Sequence, residues 1–163
     1  MNIKLKRYIN ENLKREKSLL KEKRAMFFEE DLMCGRSFCS TINNYIDDNK
    51  NENKFQTLLF KYIDERELKD SDVYNKVHLD RRLFSKIRND IDYHPSKETV
   101  ILLGISLELN EDEIEDLLES ASYSLPKNNY YDLIIRFCFK EKIYDLKTIN
   151  DFLDEYKQKM FSY

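Results

Sequence analysis

The feature that most constrains this chain is its shortage of the two residues that turns use most. Its 163 residues include two glycines and two prolines, whereas average usage is about 7% glycine and about 5% proline. β-Sandwiches, barrels and glycine-looped nucleotide folds need many backbone positions that glycine or proline supply. The sequence therefore excludes those folds and predicts an all-α protein.

Charged residues and large rings are both abundant. Charged residues make up 36% of the chain, and Phe and Tyr contribute 10 and 11 residues. So many rings exclude a disordered polyelectrolyte, and the length suffices for a buried core. No apolar run approaches the roughly 18 residues that a membrane span needs. We expect a cytoplasmic protein that makes no membrane contact.

The three cysteines give no sign of a metal or redox site. Cys34, Cys39 and Cys138 are odd in number, and no two have the spacing of a zinc or redox pair. We expect reduced, buried thiols. A zinc site that combines them with His78 or His94 is the less favoured alternative.

Hydrophobic periodicity divides the chain into three predicted parts. Residues 1–53 form a basic helical extension and a linker, residues 54–125 hold five short amphipathic helices, and residues 126–163 hold two more. The extension carries nine Lys/Arg against three Asp/Glu in residues 1–24, and its apolar stripe consists of Leu5, Ile9, Leu13 and Leu20.

Side chains that favour the first turn of a helix mark the starts of the central helices. Asp70 or Ser71 is predicted to cap the second of them, and Asp80, Ser96 and Asn110 are predicted to cap the next three. The gap between the second and third helices, at His78 and Leu79, is long enough only for a tight turn. Two short helices are thus expected to meet across that turn.

The segment DSDVYNKVHLDRRLFSKIRNDIDYHPSKETVILLGISLELNEDEIEDLL resembles the helix-turn-helix of the phage-repressor, or XRE-type, class. With the preceding helix, the resemblance covers residues 54–121. It is most similar to a bacterial variant with two extra C-terminal helices, which is associated with standalone regulators and with tails on macro-domain and defence-associated proteins. The resemblance implies a five-helix repressor-like core between a helical N-terminal extension and two additional C-terminal helices.

The charge pattern of the third central helix favours the same interpretation. Leu83, Phe84 and Ile87 are predicted to face the core, which leaves four cations and no acid on the outward faces. Residues 98–126, in contrast, contain eight acids and no Lys or Arg. A cationic helix suits the DNA major groove, because Arg and Lys bind guanine O6 and N7. A basic surface helix without any ligand has the same composition and stays open as an alternative.

The resemblance also implies which residues meet DNA. The expected base contacts are Arg81, Arg82, Ser85 and Lys86, and the expected backbone contacts are Arg88, Asn89, Ser96 and Lys97. Five positions differ from the family pattern. Tyr74 replaces the small residue inside the first helix of the motif, and Asp90 and Asp92 lie in the following loop where a cation would favour DNA binding. His78 replaces the glycine of the turn, and Asp70 stands where a helix start contacts phosphate.

The expected function is sequence-specific binding of double-stranded DNA by a homodimer, as in a transcriptional regulator. No nucleotide-loop, zinc-protease or esterase motif is present. We therefore expect no enzymatic activity, no cofactor and no metal. The first alternative is a protein-interaction adaptor or inhibitor of a phage or defence system, with residues 1–53 as a possible partner surface. RNA binding through the basic N-terminal helix and Tyr8 is a third.

Overall fold

A computed structural model describes residues 3–12 and 54–162, and every regular element within them is a helix. The all-α prediction is confirmed for this part of the chain. Residues 3–12 form α1, and the later helices are α2 (Lys54–Glu65), α3 (Asp70–Lys76), α4 (Arg81–Asn89), α5 (Lys97–Ser106), α6 (Glu111–Ser120), α7 (Tyr130–Lys140) and α8 (Leu146–Glu155). Leu13, Leu20, Cys34, Cys39 and the predicted linker lie outside the described residues.

Three of the predicted helix caps are confirmed. Asp80 Oδ1 accepts a hydrogen bond from the Arg82 amide at 2.5 Å, and Ser96 Oγ accepts one from the Thr99 amide at 3.2 Å. Asn110 forms a reciprocal capping box with Glu113. These caps depend on neighbours in sequence, so the local pattern was sufficient to find them.

The predicted cap of α3 is wrong. The helix begins at Asp70 itself, and Lys69 occupies the capping position without a side-chain hydrogen bond. The Asp70 carboxylate instead lies 2.5 Å from Nη2 of Arg88, on the neighbouring helix α4. A charged partner far away in sequence thus replaces the expected local contact.

Six helices end in a left-handed residue that is not glycine. The residues with positive φ are Glu67, His78, Glu108, Ser122, Lys142 and Lys157, with φ between 52° and 58°. At the end of α3, the His78 amide donates to Asn75 O at 3.2 Å and the Leu79 amide donates to Tyr74 O at 2.9 Å. This pair of bonds is the Schellman motif, and the other five ends repeat it. These six of the eight described helices therefore end in the usual geometry without the usual glycine, whereas α4 ends in an extended Asp90.

The centre of the molecule is built from α5 and α7. Every residue from Thr99 to Ser106 is buried, as is every residue from Asp132 to Phe139. Helix α6 packs against both of them, α3 packs on α5, α2 on α6, and α8 on α7. Gly104 of α5 permits the close approach of α6, because an added Cβ would overlap Cδ1 of Ile114. Helix α4 buries only Phe84 and Ile87, so it lies at the periphery.

The N-terminal helix α1 joins the same core. Leu5 and Ile9 are each 1% exposed, which confirms the part of the predicted stripe that the structure describes. The centroid of the Tyr8 ring lies 5.6 Å from that of the Phe137 ring on α7. Lys140 Nζ lies 5.2 Å from the centroid of the Tyr8 ring. The predicted domain boundaries at residues 53 and 125 stay predictions. No helix in residues 3–12 and 54–162 has both the length and the apolar character needed to cross a bilayer.

Candidate nucleic-acid interface

Helix α4 presents its cationic side to solvent, as its composition predicts. Phe84 and Ile87 are buried and Leu83 is half-buried. The six polar residues are all exposed, namely Arg81, Arg82, Ser85, Lys86, Arg88 and Asn89. Arg81 and Ser85 are one turn apart, as are Arg82 and Lys86, so each pair shares a side of the helix.

Aromatic contacts hold α4 against the two preceding helices. The Phe84 ring meets Phe60 of α2 edge-on, with centroids 6.4 Å apart, and it meets Tyr74 of α3 at 5.7 Å. Tyr74 stands where the resemblance implies a small residue, and its ring packs against Phe84 between α3 and α4. The turn between these helices places His78 at φ 54°. The histidine thus adopts the left-handed conformation that glycine usually supplies at a helix end.

A glutamine from α2 fixes the other end of α4. Gln56 Nε2 donates to the carbonyl oxygens of Ile87 at 2.5 Å and Asp90 at 2.7 Å. These carbonyls lie at the helix C-terminus, where backbone acceptors lack partners within the helix. The orientation of α4 is therefore fixed at its end as well as along its buried side.

Two side chains contact the Arg88 guanidinium. Its Nη2 lies 2.5 Å from Asp70 Oδ1, and its Cζ lies 4.1 Å from the centroid of the Phe60 ring. The side chains of Arg88 and Asp70 are 44% and 37% exposed, so the pair is accessible from solvent. The guanidinium is thus at the surface but already has a carboxylate partner.

Three further site residues contact neighbours near the end of α4. Lys86 Nζ lies 4.7 Å from the centroid of the Tyr93 ring. Asn89 Nδ2 donates to Ser85 O at 2.8 Å and to Ser85 Oγ at 3.1 Å. The Lys86 ammonium contacts this ring and has no carboxylate partner among the described residues.

The start of α5 faces the C-terminal helices. Ser96 Oγ caps the helix, and Lys97 Nζ lies 2.5 Å from Asp132 Oδ1 on α7. The Asp132 side chain is 5% exposed and also accepts a bond from Asn129 at 2.7 Å. A phosphate contact by Lys97 would therefore compete with this nearly buried carboxylate.

Arg81 and Arg82 differ from Arg88 and Lys97, which have carboxylate partners, and resemble Lys86. Both are exposed in the first turn of α4. Within the part of the chain that the structure describes, no carboxylate lies within ion-pair distance of either. Their guanidinium groups carry the accessible positive charge of the site.

The acidic segment, residues 98–126, does more than form a negative surface. Five of its eight acids form ion pairs with cations of other elements. The pairs are Glu98 with Lys159, Glu108 with Lys76, Glu113 with Arg66, and both Glu111 and Glu115 with Arg136. These acids join α5 and α6 to the surrounding helices, so the charge segregation in sequence is partly neutralised in space.

Sequence reasoning missed Gln56 and Asp132 as determinants of the site, and it missed the Arg88 partner of Asp70. Their partners lie 18 to 35 residues away along the chain. No local pattern marks such contacts, although Asn129 three residues before Asp132 is a recognisable capping signal.

Comparison with models of protein families, with curated proteins and with solved structures finds no match to this chain. The resemblance to the repressor class therefore remains an expectation that rests on the residues quoted above.

Proposed function

We propose that the protein binds double-stranded DNA sequence-specifically through α4 and acts as a transcriptional regulator. The observation that carries the proposal is the pair of exposed guanidinium groups of Arg81 and Arg82, which have no carboxylate partner among the described residues. They lie in the first turn of a helix fixed by Asp80, Phe84 and Gln56. A rigid helix with free cations at its N-terminal end suits base contacts in the major groove.

The roles of the side chains follow from their positions. Arg81 and Arg82 bind guanine edges, because a guanidinium forms two parallel hydrogen bonds with O6 and N7. Ser85 and Lys86 lie one turn further along and contact the next base pairs. A homodimer would place two copies of α4 about one helical turn of DNA apart.

The free cations also set the expected salt dependence. Arg81, Arg82 and Lys86 have no carboxylate partner among the described residues, whereas Arg88 and Lys97 do. Each phosphate neutralised contributes about −0.9 to the slope of log affinity against log salt concentration. If those three residues alone contact DNA, we expect a slope no steeper than about −2.7 per protomer.

The test is a selection of bound duplexes from a random pool, followed by titration of the selected duplex and a scrambled one. We expect Arg82→Ala to lose about 1–3 kcal/mol on the selected duplex and to relax the preference at one base pair. Lys142→Ala, which removes an exposed cation beyond the end of α7, is the matched control and should retain affinity. Equal affinity of the wild-type protein for both duplexes would contradict sequence-specific binding.

A second candidate function is a protein-interaction adaptor built on the same helices. Ile91 favours it, because this large apolar side chain is 65% exposed directly after α4. A nuclease-treated pull-down separates the two functions. A partner that survives nuclease and is lost in Ile91→Ser, together with absence of duplex binding, would favour the adaptor.

A further inference from the structure

Asp70 lies directly beside the side of α4 that carries Arg81. Arg81, Ser85 and Arg88 follow one another at turn spacing on that side. They line one wall of a cleft of about 260 Å³ between α3 and α4, and Asp70 lies on the opposite wall. A carboxylate therefore stands within the surface that the proposed function presents to DNA.

The Asp70 carboxylate binds the Arg88 guanidinium in the way that a phosphate would. Its Oδ1 lies 2.5 Å from Arg88 Nη2, and the Phe60 ring supports the guanidinium 4.1 Å away. Carboxylates and phosphates are the oxyanions that a guanidinium binds best. A DNA phosphate must displace Asp70 to reach Arg88, or it must remain near an uncompensated negative charge.

Either outcome lowers affinity without regard to base sequence. Phosphate contacts supply most of the affinity for non-specific DNA, whereas base contacts discriminate between sites. Removing one phosphate contact therefore costs selected and scrambled duplexes the same factor. The cations that have no carboxylate partner among the described residues, Arg81, Arg82 and Lys86, are those proposed for base contacts.

We propose that Asp70 sets the overall affinity for DNA: its carboxylate neutralises Arg88 in place of a DNA phosphate and weakens binding to every duplex by the same factor. The inference rests on the proposed function, because it concerns affinity for DNA. The resemblance marks Asp70 only as an acid at a phosphate-contacting helix start; the pair with Arg88 assigns to it the tuning of the sequence-independent part of the affinity.

The test is a titration of Asp70→Asn against the selected and the scrambled duplex at two salt concentrations. We expect tighter binding to both duplexes by the same factor. One additional phosphate contact steepens the salt slope by about 0.9, so the advantage over the wild-type protein should shrink about 3.5-fold between about 50 mM and about 200 mM salt.

Two variants separate the Asp70–Arg88 pair from a change in net charge. Asp72→Asn alters the same turn of α3 by the same charge, and Asp72 has no ion pair within the described residues. It should leave the salt slope unchanged. In the background of Arg88→Ala, Asp70→Asn should give no further steepening, because the guanidinium that it releases is absent.

The outcomes distinguish the two proposals. If the wild-type protein prefers the selected duplex and Asp70→Asn has the wild-type slope, or Asp72→Asn steepens it equally, the role of Asp70 is overturned and the proposed function stands. If neither the wild-type protein nor Asp70→Asn binds any duplex, both proposals fail. Circular dichroism melting curves of each variant verify that the affinities compared are those of folded protein.

Discussion

At the scale of single residues, the partners of each cation determine how much charge is available to a ligand. Arg88 and Lys97 have carboxylate partners at 2.5 Å, whereas Arg81 and Arg82 have none among the described residues. The partner of Arg88 is half-exposed, but that of Lys97 is nearly buried. The first pair can therefore open to admit an anion at a lower cost than the second.

The pair between Lys97 and Asp132 leads to a prediction about stability. Lys97→Ala leaves the Asp132 carboxylate with only its bond from Asn129, at a site where its side chain is 5% exposed. We expect the free energy of unfolding to fall by about 1–3 kcal/mol, the penalty for a polar group left underpaired in the interior. Urea unfolding monitored by circular dichroism measures this decrease in the free energy of unfolding.

Lys127→Ala is the control for this prediction, because Lys127 is exposed and close to the start of α7. Its stability should stay within about 0.5 kcal/mol of the wild-type value. If Lys97 instead made a full phosphate contact, Lys97→Ala would make the salt slope of DNA binding shallower by about 0.9. Unchanged stability with a reduced slope would contradict the structural role.

Burial of Cys138 leads to a prediction about alkaline pH. Burial raises the pKa of this thiol from 9.0 to about 12, and burial together with Glu111 and Glu115 raises that of Tyr8 to about 12. Between the ordinary pKa of each group and its raised pKa of about 12, the unfolded chain loses a proton that the folded chain retains. Stability is therefore full below about pH 9 and falls as the pH rises toward 12.

Urea unfolding at about pH 8, 9 and 10 tests this dependence, with Cys138→Val as the comparison. The variant removes the thiol while retaining an apolar side chain, so it should lose less stability than the wild-type protein between about pH 9 and 10. Parallel pH profiles of the two proteins would contradict the assignment to Cys138.

Residue roles differ in how far the sequence predicts them. The caps at Asp80, Ser96 and Asn110 follow from contacts within three residues, and the sequence located all three. The ion pair of Asp70 spans 18 residues and that of Lys97 spans 35. Such contacts depend on how helices are arranged in space, which no periodicity encodes.

At the scale of elements, the helix ends explain how the chain folds with so little glycine. Six helices end in a left-handed Glu, His, Ser or Lys. Each such residue costs about 1–2 kcal/mol relative to a right-handed conformation. The Schellman bonds satisfy the last carbonyls, and the residue that follows is apolar at five of the six ends, as at Leu79 and Ile143. Low glycine content therefore predicts helices correctly but says nothing about the strain at their ends.

This strain can be relieved at an exposed position. Lys142 follows α7 with φ 55° and is exposed to solvent. We expect Lys142→Gly to raise the free energy of unfolding by about 0.5–1 kcal/mol, after allowance for the greater entropy of glycine in the unfolded chain. Lys142→Ala retains the strained backbone and should give no gain. Equal stability of the glycine and alanine variants in thermal unfolding would contradict this explanation.

At the scale of the whole molecule, the first helix belongs to the same apolar core as the others. That core extends from Leu5 to Phe161, and the Asn150 side chain binds the backbone of Phe161 at 2.9 and 3.1 Å. The sequence predicted the apolar stripe of α1 but not where it packs, because periodicity identifies a buried face without identifying its partner. The ends of the described chain thus pack around α7 rather than extending away from it.

Because α1 packs on the core, we expect that shortening the Leu5 side chain destabilises the whole molecule. Leu5→Ala removes a side chain that is 1% exposed, and such substitutions cost about 2–5 kcal/mol through lost burial and the cavity left behind. Since one core connects α1 to α7, we expect a single urea transition with a lower midpoint. Amide hydrogen exchange in α7 should accelerate by the corresponding factor.

Ile3→Ala is the matched control, because this neighbouring apolar side chain is 80% exposed. It should shift the stability by less than about 0.5 kcal/mol. If Leu5→Ala has as little effect as Ile3→Ala, α1 contributes nothing to the core. If α1 instead melts in a separate early phase while exchange in α7 stays slow, α1 is not part of the cooperative core.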